Sequence, residues 1–147
     1  MDQGAIYRFV AGFRYGIVSS IANDGSPQSA LVGIAVTPQL EIVFDTVKSS
    51  RKYPNLIARP RCSFAVGWGG EQTVQFEGLA SEPRGEELSR CQQAYFAVWP
   101  DGPTRLFWAG IAYFVVKPLW VRYSDYDQSP PEIVELRFPH EGPTASG

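Results

Sequence analysis

Asn23-Asp24-Gly25-Ser26-Pro27 is the strongest single constraint on what this chain can become. Glycine supplies the positive φ of a tight reversal, and Asp24 brings a side chain able to bond its own backbone two residues on. Short runs with strand character flank it, Tyr15 to Ala22 before and Gln28 to Thr37 after. A strand–turn–strand unit of this kind must double back on itself. Pro38-Gln39 then turns the chain again, and Leu40 to Thr46 supplies a third run. Three consecutive strands in a meander point to antiparallel β architecture.

Further strands are expected over Arg61 to Trp68, Thr73 to Ser81, Gly110 to Lys117 and Leu119 to Tyr123, with a last one over Glu132 to Phe138 after the turn-rich Asp125 to Pro131. Helical spacing appears in three places. Ile6, Phe9, Val10 and Phe13 share one face of Ala5 to Phe13, and Leu88, Cys91, Tyr95 and Val98 do so within Pro83 to Val98. Ser49 to Ala58 is the third, and Pro54, which cannot donate in a helix interior, forces its start to lie near Ser50 to Tyr53. Short strands separated by turn signals, with two or three helices, favour a barrel or sandwich over a parallel sheet. The expectation is one mainly β domain over 1–147, its core at about 15–123 and a mobile tail at 139–147.

The segment Phe44-Asp45-Thr46-Val47-Lys48-Ser49-Ser50-Arg51-Lys52-Tyr53-Pro54-Asn55-Leu56 carries the most chemistry. A strand ends at Thr46, and a hydroxyl- and base-rich loop runs straight into a helix. Ser49 and Ser50 can donate, Arg51 offers a planar fork matching phosphate oxygens, and Lys52 adds a compact charge. Together with the free N–H groups of a helix start, these could hold a phosphomonoester. A solvated loop with a serine cap and two surface bases fits the same spacing.

This segment resembles the FMN-phosphate motif of the pyridoxamine-phosphate-oxidase-like split β-barrels, in which a strand ending in Thr is followed by Ser-Arg-Lys and a helix carrying Asn-Leu or Glu-Leu. Asp24-Gly25-Ser26-Pro27 resembles that family's first hairpin, Arg59-Pro60-Arg61 its Asn-Pro entry to the next strand, and Val74-Gln75-Phe76-Glu77-Gly78 its Val-Arg-x-Glu-Gly strand. The resemblance runs from Tyr15 to Tyr123. It implies a split β-barrel of six or seven antiparallel strands, FMN as cofactor, and a homodimer with flavin at the subunit interface. It further implies that Thr46, Ser50, Arg51 and Lys52 bind the FMN phosphate. The main chain of Ala30, Leu31 and Val32 would pass beside the flavin ring, Asp45 would stand where the ring system begins, and Thr73 and Gln75 would line the ribityl chain.

The vitamin-forming oxidases of that family hold the phosphate of their substrate with a second set of residues, and here the chain departs. The lysine ending their second strand matches Ala35. Their Tyr-Phe-x-x-Arg-Pro helix with a following serine matches Tyr95-Phe96-Ala97-Val98-Trp99-Pro100, with Pro103 near the serine. Loss of two cations and a hydroxyl leaves a substrate phosphate uncompensated. Tyr95 and Trp99 are therefore expected to line a pocket for an apolar or aromatic molecule, and pyridoxamine phosphate is not the expected substrate. The resulting expectation is an FMN-dependent oxidoreductase for an unidentified small organic substrate. Its alternatives are a non-catalytic FMN-binding, storage or sensing module and a deazaflavin-dependent relative of the same fold. No side-chain acid or base is nominated.

The remaining features exclude rather than specify. A net charge of −2 without a basic stripe argues against nucleic acid. No apolar run approaches the roughly 18 residues that span a bilayer. Met1-Asp2-Gln3-Gly4 shows no secretory pattern, and Cys62 and Cys91 have no metal-ligand spacing, so the expected address is the cytoplasm with both thiols reduced. Ser124-Asp125-Tyr126-Asp127 reads as a solvated turn and not as a metal loop. The late aromatics, among them Trp108 and Trp120, suit either barrel core and dimer interface or stacking near a partner subunit's flavin.

Overall fold

The computed structural model describes residues 1–140 of the chain. Its order is α1 (Gln3–Ala11), β1 (Tyr15–Ile21), β2 (Pro27–Gly33), β3 (Ala35–Val36), β4 (Ile42–Val47), α2 (Lys52–Ala58), β5 (Arg61–Val66), β6 (Gln72–Ser81), α3 (Gly85–Val98), a 3-10 helix (Gly102–Phe107), β7 (Ile111–Asp125) and β8 (Glu132–Arg137). Of the expected tail at 139–147, positions 141 onward lie outside the described residues.

All strand pairs are antiparallel, in the order β2-β1-β5-β6-β7-β4-β3, with β8 added on β7. The first hairpin forms where the turn chemistry demands it. Gly25 has φ +86°, and the Asp24 carboxylate accepts from Ser26 N–H at 2.9 Å. Strand β7 is the spine. Its first half pairs with β4 (Val47↔Ile111 to Ile42↔Val116), its second half pairs with β8 (Trp120↔Arg137 to Asp125↔Glu132), and β6 runs along its other edge.

The expected pair of strands at 110–117 and 119–123 is thus one continuous strand. Pro118 cannot donate to a ladder, but the register shifts between Glu77 and Gly78, so that Gly78 pairs with Pro118 and Glu77 with Trp120. A bulge of this kind absorbs the missing donor and bends the strand without ending it. The curled sheet nearly closes: β2 lies beside β4 but shares no ladder with it, which leaves the barrel split there.

Phe44, Phe64, Phe76 and Phe114 fill the interior, with Phe44 stacked on Phe114 at 5.5 Å and Phe64 edge-on to Phe76 at 6.0 Å. Helix α1 adds Ile6 and Val10 to this core. A second cluster, Ala35, Val43, Cys91, Tyr95, Tyr113 and Val115, lies beneath α3. Strand β4 is therefore covered on both faces, which explains its unbroken apolar run Ile42-Val43-Phe44. The outward face of β1, β5 and β6 is left uncovered by the described residues. Seven of the strands are six residues or longer and β3 has two, so the molecule is a mainly β split barrel with peripheral helices. Among the described residues, no helix is long and apolar enough to cross a membrane.

Candidate functional site

Alternation along β4 sends Phe44 and Thr46 to one face and Val43 and Asp45 to the other. Thr46 Oγ1 donates to Ser50 Oγ at 2.9 Å, and Lys52 Nζ donates to Thr46 Oγ1 at 3.5 Å. The turn between them is closed by Ser50 N–H to the Val47 carbonyl at 2.9 Å. Helix α2 begins at Lys52, within the expected interval, with Pro54 in its first turn. No side chain caps it, so the serine-cap reading does not hold.

Burial pushes the Lys52 ammonium below its ordinary pKa, and no carboxylate among the described residues offsets this by pairing with it. A partly desolvated cation without a counter-ion among the described residues favours an anion beside it. Arg51 is exposed beside it. The two bases face β1 and β2 across a cleft of about 100 Å³, lined by Val18, Ser20, Gln28 and Ala30. That is smaller than the roughly 300–1,000 Å³ of whole-ligand pockets, so the cleft suits one group of a larger molecule.

Asn55 anchors this arrangement. Its side chain, 6% exposed, donates to Ser20 Oγ at 3.1 Å and to Gln28 Oε1 at 2.9 Å, tying α2 to both strands of the first hairpin. Past Arg51 and Gln28 the cleft opens into a wider groove of about 440 Å³ bordered by Asn23, Asp24 and Pro54.

Thr46, Ser50, Arg51, Lys52 and Ala30 are thus brought together, but the other expected site residues stand elsewhere. Leu31 is 60% exposed on the outer face and Val32 is buried. As an edge strand, β2 leaves alternate N–H and C=O groups pointing away from β1, which is what a main-chain role requires. Gln75 lies on the uncovered outer face in a groove of about 280 Å³ with Ile17, Ser63, Ala65 and Trp120. Thr73 is two residues earlier on the same strand, with its hydroxyl bonded to the Val66 carbonyl at 3.2 Å. Neither approaches the cleft within one chain.

Asp45, expected where the ring system begins, points beneath α3, where Arg105 Nε donates to Oδ2 at 2.8 Å and the Tyr95 hydroxyl donates to Oδ1 at 3.1 Å. Two expectations are corrected. Tyr95 does not line a pocket. It is 1% exposed, and burial, then the Asp45 charge, pushes its hydroxyl well above the usual range. Trp99, expected to line a pocket, is packed against its neighbours. Its Nε1 donates to the Ile34 carbonyl at 3.1 Å, the Arg14 guanidinium lies 4.1 Å from the ring centroid, and Tyr95 stacks on it at 6.3 Å. A side chain with the bulk of tryptophan at this place packs against Gly33, where a Cβ would come within 2.7 Å of the ring.

Arg105 and the anchoring role of Asn55 were not anticipated. Asn55 carries a local signal in the Asn-Leu pair that opens the helix. Arg105 carries none, because its partner is distant in sequence.

Comparison with known proteins agrees with the fold. No curated protein matches the chain. Among solved structures, a heme-binding protein of Mycobacterium smegmatis superposes with a TM-score of 0.79 at 17% identity, covering 93% of this chain and 58% of its own. A conserved hypothetical protein of Mycobacterium tuberculosis does so with 0.74 at 24% identity, covering 99% and 94%. A pyridoxamine 5'-phosphate oxidase-related, FMN-binding protein of Nostoc punctiforme does so with 0.64 at 12% identity, covering 94% and 93%. At these identities the likenesses establish the shared fold. The family model described as pyridoxamine 5'-phosphate oxidase matches residues 3–125, the barrel from α1 to the end of β7, and the chain belongs to that family.

Proposed function

We propose that this chain binds FMN through the Thr46–Ser50–Arg51–Lys52 cleft, works as a homodimer, and uses the flavin for oxidoreduction of a small organic molecule. The observation that carries this reading is Lys52: a partly buried ammonium that, among the described residues, is bonded to Thr46 alone and has no carboxylate partner, beside an exposed guanidinium. A phosphomonoester supplies the missing charge, and Ser50 supplies a hydroxyl to hold it. The bound flavin would provide the electron chemistry, while the chain's residues bind, orient and shield it.

The positions of the expected flavin contacts support the dimer. Ala30 lines the cleft with Arg51 and Lys52, whereas Thr73 and Gln75 sit on the outer sheet face of the same chain. One flavin can touch both sets if a second copy presents its outer face to the first. That face is uncovered and holds Ile17 and Ala65 between polar neighbours.

A substrate bearing its own phosphate is disfavoured. Ala35 is 3% exposed within the α3 cluster and brings no charge, and Trp99 occupies the space against Gly33. A second reading, a deazaflavin coenzyme whose phosphate is a diester, is favoured by one observation. The cleft opens past Arg51 into the groove of about 440 Å³, which could carry a polar extension. Heme gains no comparable support, since the single histidine, His140, is exposed beyond β8.

The experiment is FMN titration of the purified protein alongside an Arg51→Ala/Lys52→Ala variant, with sedimentation to read the oligomeric state. Tight uptake by the parent, loss of at least about a hundredfold in affinity in the variant, and a dimer are expected; each charge-assisted bond contributes on the order of 1.5–3 kcal/mol. Equal FMN occupancy in both proteins would remove the phosphate assignment.

A further inference from the structure

The turn that carries Thr46, Ser50 and Lys52 is gripped from outside by one segment, 101–110, at two points. Arg105 holds the Asp45 carboxylate, with Nε 2.8 Å from Oδ2. Both side chains are about 15% exposed, Arg105 at 15% and Asp45 at 14%. Tyr95 engages the second carboxylate oxygen at 3.1 Å, so the group has no freedom to rotate. Three residues on, the main-chain N–H of Lys48 donates to the Gly110 carbonyl at 2.8 Å. Thr46 lies between these two fixed points. Arg105 is itself steadied by Asp101, one turn earlier in the same segment, at 3.0 Å. Tyr113, opposite Asp45 in the ladder, keeps its buried hydroxyl unpartnered and so does not share in orienting the carboxylate.

Adjacent residues of a strand point to opposite faces, so a side chain that fixes Asp45 also fixes the direction of Thr46. We propose that Arg105 is a positioning residue for the phosphate cleft: by clamping Asp45 at the end of β4 it sets the Thr46–Ser50–Lys52 arrangement on the other face. Its effect on cofactor affinity rests on the FMN reading above; its effect on the turn does not.

The test uses the full chain as parent, Arg105→Gln, Arg105→Lys, and Arg90→Gln as a control. Arg90 makes a similar ion pair with Glu41 at 2.9 Å, remote from the turn. Hydrogen exchange of the amides at 46–52 reads the turn directly, without ligand. In Arg105→Gln those amides should exchange on the order of tenfold faster, with β5 and β6 unchanged, since one charge-assisted bond is lost locally. Arg105→Lys, which keeps the charge, should recover part of the protection, and Arg90→Gln should leave it intact. FMN affinity should fall about tenfold in Arg105→Gln, be partly restored in Arg105→Lys, and hold in Arg90→Gln. Unchanged exchange at 46–52, or a uniform rise across the sheet, would overturn the positioning role. A parent that ignores FMN would refute the cofactor reading alone, and the exchange pattern would still decide on Arg105.

Discussion

Asn55→Ala should weaken the protein and the cleft together, and its magnitude can be worked from the contacts. The amide makes two hydrogen bonds, to Ser20 at 3.1 Å and Gln28 at 2.9 Å. Each bond of this type contributes about 0.5–1.5 kcal/mol net. Ser20 is 2% exposed, so its hydroxyl is left with little water to replace the lost partner. Gln28 borders the open groove and can rehydrate. The expected loss is therefore about 2–3 kcal/mol, or a fall of roughly 4–12 °C in Tm for a domain of this size. Urea denaturation with an unchanged m-value is the assay, since the fold itself should survive. Asn55→Asp should separate the two roles. It nearly preserves the shape and can accept from the Ser20 hydroxyl where the amide donated to it, but it sets a negative charge beside the anion site, so FMN affinity should fall by more than stability does. A loss under about 0.5 kcal/mol in Asn55→Ala would refute the claim that this amide ties α2 to the first hairpin.

Other outcomes follow from the packing and the titrating groups. Gly33→Ala would place a Cβ 2.7 Å from the Trp99 ring, which Ile34 and Arg14 hold in place, so overpacking should cost about 1–3 kcal/mol and shift the tryptophan emission; an unperturbed spectrum and melting curve would show that Trp99 moves freely. Burial pushes the Cys62 thiol from 9.0 up to about 12, so its protonated form is favoured in the folded state. A folded-state pKa above the unfolded one means that this contribution is intact below pH 9 and is lost as pH rises toward 12, by up to about 4 kcal/mol. Cys62→Ala should flatten part of the alkaline fall in stability, and thiol reagents at pH 8 should react with the native chain far more slowly than with the unfolded one.

Much of the fold is legible because its signals are local. The Asp24-Gly25 turn states its own geometry, and Pro54 dates the start of α2 to within a few residues. The Ser50-Arg51-Lys52 run is equally local, since a turn leading into a helix brings hydroxyl and ammonium groups to one side whatever the rest of the barrel does. Reading breaks down where a distant partner decides. Pro118 looks like a strand boundary until the bulge at Glu77 and Gly78 is seen to accommodate it. No element is assigned from sequence between Val98 and Gly110, yet the stretch holds a 3-10 helix whose Arg105 reaches back to β4. Asp45 looks like its neighbour Thr46 in sequence and faces the opposite way in space. The resemblance to the oxidases gives Tyr95 and Trp99 their place in the chain but not their packing, because an indole fills volume that an arginine head group would leave open.

The central claim is that the Thr46–Lys52 turn binds the phosphate of a flavin. A visible spectrum of the purified protein, taken before and after adding FMN and repeated on Arg51→Ala/Lys52→Ala, tests it most directly. The account predicts an oxidised-flavin spectrum or saturable FMN uptake in the parent and neither in the variant. A parent that stays colourless with FMN in excess, or a variant that binds it as well as the parent, would contradict it.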